Sequence, residues 1–131
     1  MDTRATIKLL SSSEKSRITL KETIDYLTYY KEITSKTGDQ LDWNYGAAAF
    51  PYSIESHEGY AELKSSERGY NRFIIAVGED QETQCSFIQI ILPQSSTYAD
   101  KSKANELCKF LARKLKAELH LFSGKIIHQY A

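Results

Sequence analysis

Acid–base or metal chemistry in this 131-residue chain would have to start from its three histidines. His57 lies in "ESHEGY" beside Glu55 and Glu58. Neighbouring carboxylates raise the proton affinity of an imidazole, so His57 could serve as an acid, a base or a pH sensor. The same arrangement is also an ordinary surface turn, and no G-x-S-x-G elbow accompanies it to supply a nucleophile. Tyr52 and Tyr60 flank it with hydroxyls. Tyr52, His57 and Tyr60 are therefore the residues expected to line a ligand pocket, either under the aromatic segment 41–60 or between sheet and helix.

His120 and His128 sit on two short alternating runs about Ser123-Gly124, which read as a terminal hairpin. A two-residue turn there pairs Phe122 with Lys125 and puts Leu119, Leu121, Ile126, His128 and Tyr130 on one face, with His120 on the other. A three-residue loop would set His120 opposite His128, but zinc needs a third and usually a fourth ligand, and no cysteine or carboxylate spacing supplies them. Cys85 and Cys108, in an expected strand and helix, form no C-x-x-C pair and read as small buried hydrophobes. Glu79, Asp80 and Glu82 in "GEDQE" lack the spacing of a calcium loop. The six glycines form neither G-x-x-x-x-G-K-[ST] nor G-x-G-x-x-G. The residues point to no metal, no cofactor and no catalytic group.

Seventeen basic and seventeen acidic side chains cancel, so no global field draws the protein to nucleic acid or to an anionic membrane. Lys101, Lys103, Lys109, Arg113, Lys114 and Lys116 make a basic stripe without interleaved aromatics, which suits a solvated helix face more than a phosphate backbone. No stretch approaches the roughly 20 apolar residues of a membrane span, and the N-terminus has no apolar run of signal-peptide length. A cytoplasmic protein is expected. Length and an apolar fraction of 41% suit one globular domain over residues 1–131.

The elements that must position these groups are marked by periodicity. "TRATIKLL" alternates as a strand with Ala5, Ile7 and Leu9 on one face. Thr19 and Glu22 form a capping box for a first helix, which Gly38 is placed to end. Two short strands are expected in "FPYSIE" and "GYAELKS", then "YNRFIIAVG" and "TQCSFIQIIL" as a hairpin about "EDQE". Ala104, Leu107, Cys108, Leu111 and Leu115 repeat at helical spacing in a second long helix. The expected order is β-α-β-β-β-β-α-β-β, an α+β fold of one antiparallel sheet with two helices on one face. Its first seven elements resemble the arrangement of TATA-box-binding-protein-like folds.

On the first helix, Leu20, Ile24, Leu27, Tyr30, Tyr26, Ile33 and Tyr29 span an apolar arc of roughly 220°, about twice what one sheet face needs. Either the following segment, with Trp43 and Tyr45, folds back over Tyr26, Tyr29 and Ile33, or a second protein molecule covers them. These five residues are the interface candidates. The quoted "TRATIKLL", the stretch "YYKEITSKTGDQLDWNYGAAAFPYSIE" and the closing "SGKIIHQYA" resemble a family of small, functionally uncharacterised proteins from Bacillus-type bacteria. The resemblance implies a cytosolic bacterial protein that stands alone as one domain, and it carries no catalytic residues over. The reading is a non-catalytic binding or interaction protein, self-associating through the tyrosine-rich side of the first helix or meeting a protein partner there, with a small-molecule binder or small enzyme as the alternative. Nucleic acid and membrane are not expected partners.

Overall fold

Seven stretches of alternating or β-branched sequence become seven strands, and every adjacent pair runs antiparallel. The computed structural model describes residues 3–10, 13, 16–40 and 52–128, the side chains of 34–40 and 128 excepted. In chain order the elements are β1 (Thr3–Lys8), α1 (Leu20–Gln40), β2 (Ser53–His57), β3 (Tyr60–Lys64), β4 (Arg72–Glu79), β5 (Ser86–Leu92), α2 (Tyr98–Leu115), β6 (Glu118–His120) and β7 (Ile126–His128). The sheet order is β2-β3-β4-β5-β1-β6-β7. The first strand is thus inserted between β5 and β6, so the central rungs join residues far apart in sequence.

Period-two alternation assigns the faces. Ala5 and Ile7 on β1, Phe73 and Ile75 on β4, Ile88, Ile90 and Leu92 on β5 and Leu119 on β6 are buried. Against them α2 lays Ala104, Leu107, Cys108, Leu111 and Leu115, all buried, as their helical spacing predicts. Each fully buried Leu or Ile removes enough apolar surface to contribute about 2 kcal/mol. Leu27 and Thr23 of α1 are also fully buried, while Tyr26 and Tyr30 pack half-buried at the core's margin.

Both helix starts carry their own chemistry. Thr19 and Glu22 form the expected capping box, with Glu22 N donating to Thr19 Oγ1 and Thr19 N donating to Glu22 Oε1, each at 3.1 Å. Thr97 and Asp100 form a second at the start of α2. The first helix runs two residues past Gly38, to Gln40. A glycine in a last turn costs only about 1 kcal/mol, and sequence context overrides it here. Cys85 precedes β5 instead of lying within it, and both cysteines are buried and free.

The terminal hairpin takes neither of the two expected registers. Glu118 pairs with His128, Leu119 with Ile127 and His120 with Ile126. The connection is a three-residue loop, Phe122 to Gly124, in which Gly124 adopts φ +91 and its N–H donates to Leu121 O. A three-residue hairpin loop needs a left-handed residue at this point, which glycine provides without strain. Leu119 and Ile127 thereby face the helices, and His120 and Ile126 face the other side.

Candidate functional site

Parity that buries one face of the sheet sends the alternate residues to the other, and among the described residues no helix covers them. One rung crosses all seven strands there: His57, Tyr60, Ala76, Gln89, Thr6, His120 and Ile126. With strands about 4.8 Å apart, His57 and His120 stand roughly 24 Å from each other on this face. Each histidine anchors a different environment.

At the β2–β3 end, Glu55 lies directly opposite Glu62, a like-charge cross-strand pair that would destabilise the sheet if left alone. Lys64 Nζ lies between them, 3.0 Å from Glu55 Oε2 and 3.3 Å from Glu62 Oε1. Arg72 donates to the other Glu62 oxygen and holds that carboxyl below its usual range, against the opposing effect of burial. The Lys64 ammonium is correspondingly pushed up by both carboxylates. His57 Nε2 is 3.5 Å from Glu55 Oε1, and its ring stacks on Tyr60 with centroids 4.8 Å apart. One ligand atom each from Glu55, His57 and Glu62 lies within 4.8 Å of the other two. This is a three-ligand set in outline, but the two carboxylates already have two cations, so a metal ion would first have to displace Lys64.

At the β5–β1–β6 end only some of the polar groups are spent on one another. Thr6, Lys8, Asp80, Phe87, Gln89 and His120 line a cavity of about 320 Å³. Glu118, directly across from Lys8, gives Oε1 to His120 Nε2 at 2.6 Å. Asp80 Oδ1 accepts from the N–H groups of Glu82 at 2.8 Å and Thr83 at 3.4 Å, which shapes the β4–β5 turn. Phe87 is opposite Gly78, and its ring lies so close that a Cβ on Gly78 would sit 2.5 Å from Phe87 Cζ. The glycine therefore makes room for the ring that floors the cavity. Among the described residues, the Lys8 ammonium, the Gln89 amide and the Thr6 hydroxyl have no side-chain hydrogen bond or ion pair.

The residues singled out from sequence are distributed as follows. Tyr52 is buried, with its hydroxyl donating to Asp100 Oδ1 at 2.6 Å and its ring edge-on to Phe73, so it belongs to the core. His57 and Tyr60 are brought together on the uncovered face, away from Tyr52. Tyr29 remains 43% exposed, with Phe110 of α2 beside it and Lys114 Nζ 5.2 Å from its ring centroid. Tyr30 packs on Phe110 with centroids 5.0 Å apart and donates to Glu106. Tyr26 and Ile33 are half-buried. Helix two thus covers part of the apolar arc that sequence reasoning gave to a loop or a second molecule. Trp43 and Tyr45 lie outside the described residues. The basic stripe is partly paired, with Lys103 bonded to Glu106 at 3.1 Å. Of the acidic loop, Glu79 pairs with Arg17 at 3.0 Å. Sequence reasoning missed the cavity. Its only early trace was the even-numbered polar face of β1, Arg4, Thr6 and Lys8.

Fold and site together define a class: an α+β protein whose seven-stranded antiparallel sheet is packed by helices on one face and offers a small cavity on the other. The chain belongs to the family described as domain of unknown function DUF1885, whose model matches residues 3–131. It is similar to a protein of unknown function from Bacillus stearothermophilus with a solved crystal structure: 40% sequence identity, TM-score 0.63, covering 85% of this chain and 88% of that one. Among curated proteins nothing matches. Neither description names a ligand or a reaction. No helix among the described residues is long and apolar enough to cross a membrane.

Proposed function

We infer that this is a non-catalytic cytoplasmic binding protein whose ligand seats in the cavity on the uncovered sheet face. The observation that carries the reading is the set of uncommitted groups there. Lys8, Gln89 and Thr6 converge on one concavity beside the Phe87 ring, and spare hydrogen-bonding capacity around an apolar floor is what small-molecule sites display. A catalytic role has less support. Thr6 is paired with His120 across β1 and β6, and the His120 Nε2 is engaged by Glu118 Oε1 at 2.6 Å. Two buried free thiols fit a reducing compartment. The test is native mass spectrometry of the protein purified gently from its own cells. A co-purifying mass that disappears in Lys8→Met or Gln89→Leu supports the reading; a bare polypeptide mass under conditions that preserve known complexes removes its support.

Self-association along the helical layer is a second reading, favoured by the exposure of Tyr29 next to the Lys114 cation on the seam between α1 and α2. Sedimentation equilibrium decides it: a dimer weakened by Tyr29→Ser upholds the reading, and a monomer at the highest attainable concentration ends it.

A further inference from the structure

We propose that the ligand of the sheet-face cavity is a small planar organic monoanion, an aromatic or heteroaromatic ring carrying one carboxylate. This rests on the cavity being the binding site. Charge comes first. Among the described residues, Lys8 is the one lysine or arginine lining the cavity, and the acid that faces it across the strand pair, Glu118, is engaged with His120. Asp80 stands at the same cavity, but one of its oxygens is occupied by two backbone N–H groups of its own turn. Lys8 can therefore pair with one ligand carboxylate, while Asp80 is the adverse charge at the same cavity. A phosphate dianion would bring a second negative charge with no second lysine or arginine among the described lining residues to meet it, and with Asp80 at the same cavity.

Shape gives the second half of the argument. Phe87 is fixed against the Gly78 backbone, leaving one side of its ring to the cavity. Aromatic rings prefer offset-stacked or edge-to-face partners, so a flat ring makes better use of that surface than a branched aliphatic group. Gln89 carries both a donor and an acceptor and Thr6 a hydroxyl, which can read ring heteroatoms or the second carboxylate oxygen. A volume of about 320 Å³ lies at the lower bound for ligand pockets and holds one or two fused rings with an acid group. A dinucleotide would not fit.

The experiment is a set of amide-proton correlation titrations with benzoate, benzamide, benzylamine and inorganic phosphate on the full chain. Benzoate should shift the signals of Thr6, Lys8, Phe87, Gln89 and His120 and bind at least about tenfold more tightly than its neutral isostere benzamide. Lys8→Met, a surface change whose spectrum reports its own folding, should erase that preference, and Asp80→Asn should widen it. Tighter binding of benzamide, benzylamine or phosphate at the same residues overturns the ligand class while leaving the cavity reading in place. Failure of every probe to move those signals, together with a bare mass in the native spectrum, overturns both.

Discussion

The Tyr52 hydroxyl donates at 2.6 Å to Asp100, whose side chain is fully buried. Asp100 also accepts from the backbone N–H groups of Asn71, Arg72 and Thr97. One carboxylate therefore ties the entry to β2, the turn before β4 and the cap of α2 together. Removing it leaves one buried and three part-buried donors without this acceptor. Asp100→Ala should cost about 3 kcal/mol or more, and Tyr52→Phe about 1.5, because the latter leaves the backbone donors satisfied. Urea unfolding at neutral pH measures both, and equal costs would show that the backbone donors matter little.

Two buried acids make the protein sensitive to alkali. Burial raises the Cys108 thiol from about 9 to about 12, and burial together with Asp100 raises the Tyr52 phenol above its usual value near 10. The folded state keeps both protons longer than the unfolded chain does. Their contribution is thus intact below the unfolded values and is lost as pH rises through the folded ones. For Cys108 the loss is about 1 kcal/mol per pH unit across that window. Stability measured from about pH 8 to 11 should fall less steeply in Cys108→Ala than in the parent, despite a packing cost of about 1 kcal/mol in that variant. Parallel curves would place the thiol nearer solvent.

Glu62 has the opposite sign. Its side chain is 11% exposed, and its pKa is lowered first by the hydrogen bond from Arg72 and then by Lys64. The stability this supplies is present above the ordinary carboxylate value of 4.5 and fades as pH falls through the lower folded value. Glu62→Gln should cost about 1 kcal/mol at pH 7, with the difference shrinking as pH falls below the ordinary carboxylate value. A pH-independent difference would assign the effect to packing.

Local signals made most of the frame legible. The Thr19–Glu22 box, the spacing from Ala104 to Leu115 and the β-branched runs of β4 and β5 each carry their meaning within a few residues. The site was less legible because it is a rung across a sheet. Thr6 meets His120 only after β1 inserts between β5 and β6, and no local pattern encodes that order. Hairpin register failed for a related reason: clean separation of polar from apolar residues favoured a two-residue turn, whereas Gly124 at φ +91 closes a three-residue loop. The tyrosine excess on α1 was real, and Phe110 on another element covers part of it.

That cover can be tested. Phe110 holds the α1–α2 seam, with Tyr30 at 5.0 Å and Tyr29 at 6.3 Å between ring centroids. Phe110→Ala should cost about 2 kcal/mol, below the value for a fully enclosed ring because the seam is partly wet. Hydrogen exchange should then accelerate along α1 and leave β4 and β5 protected, since α1 would lose a packing partner while the central sheet keeps its core. Uniform acceleration would show that the two layers unfold as one unit.

Gly78 and Phe87 should behave as a coupled pair. A methyl group at Gly78 would sit 2.5 Å from Phe87 Cζ, so the ring in Gly78→Ala must swing off the backbone, and the open direction is the cavity. The forced rearrangement should cost about 1–3 kcal/mol. In a Phe87→Ala background the same methyl meets no ring and should be nearly neutral, which gives a coupling energy of about 1 kcal/mol or more in a double-mutant cycle. The displaced ring would also occupy space that a ligand needs, so Gly78→Ala should weaken benzoate binding although residue 78 offers no side-chain contact of its own. Additive stabilities with unchanged binding would mean that the ring tilts along the strand and leaves the cavity open.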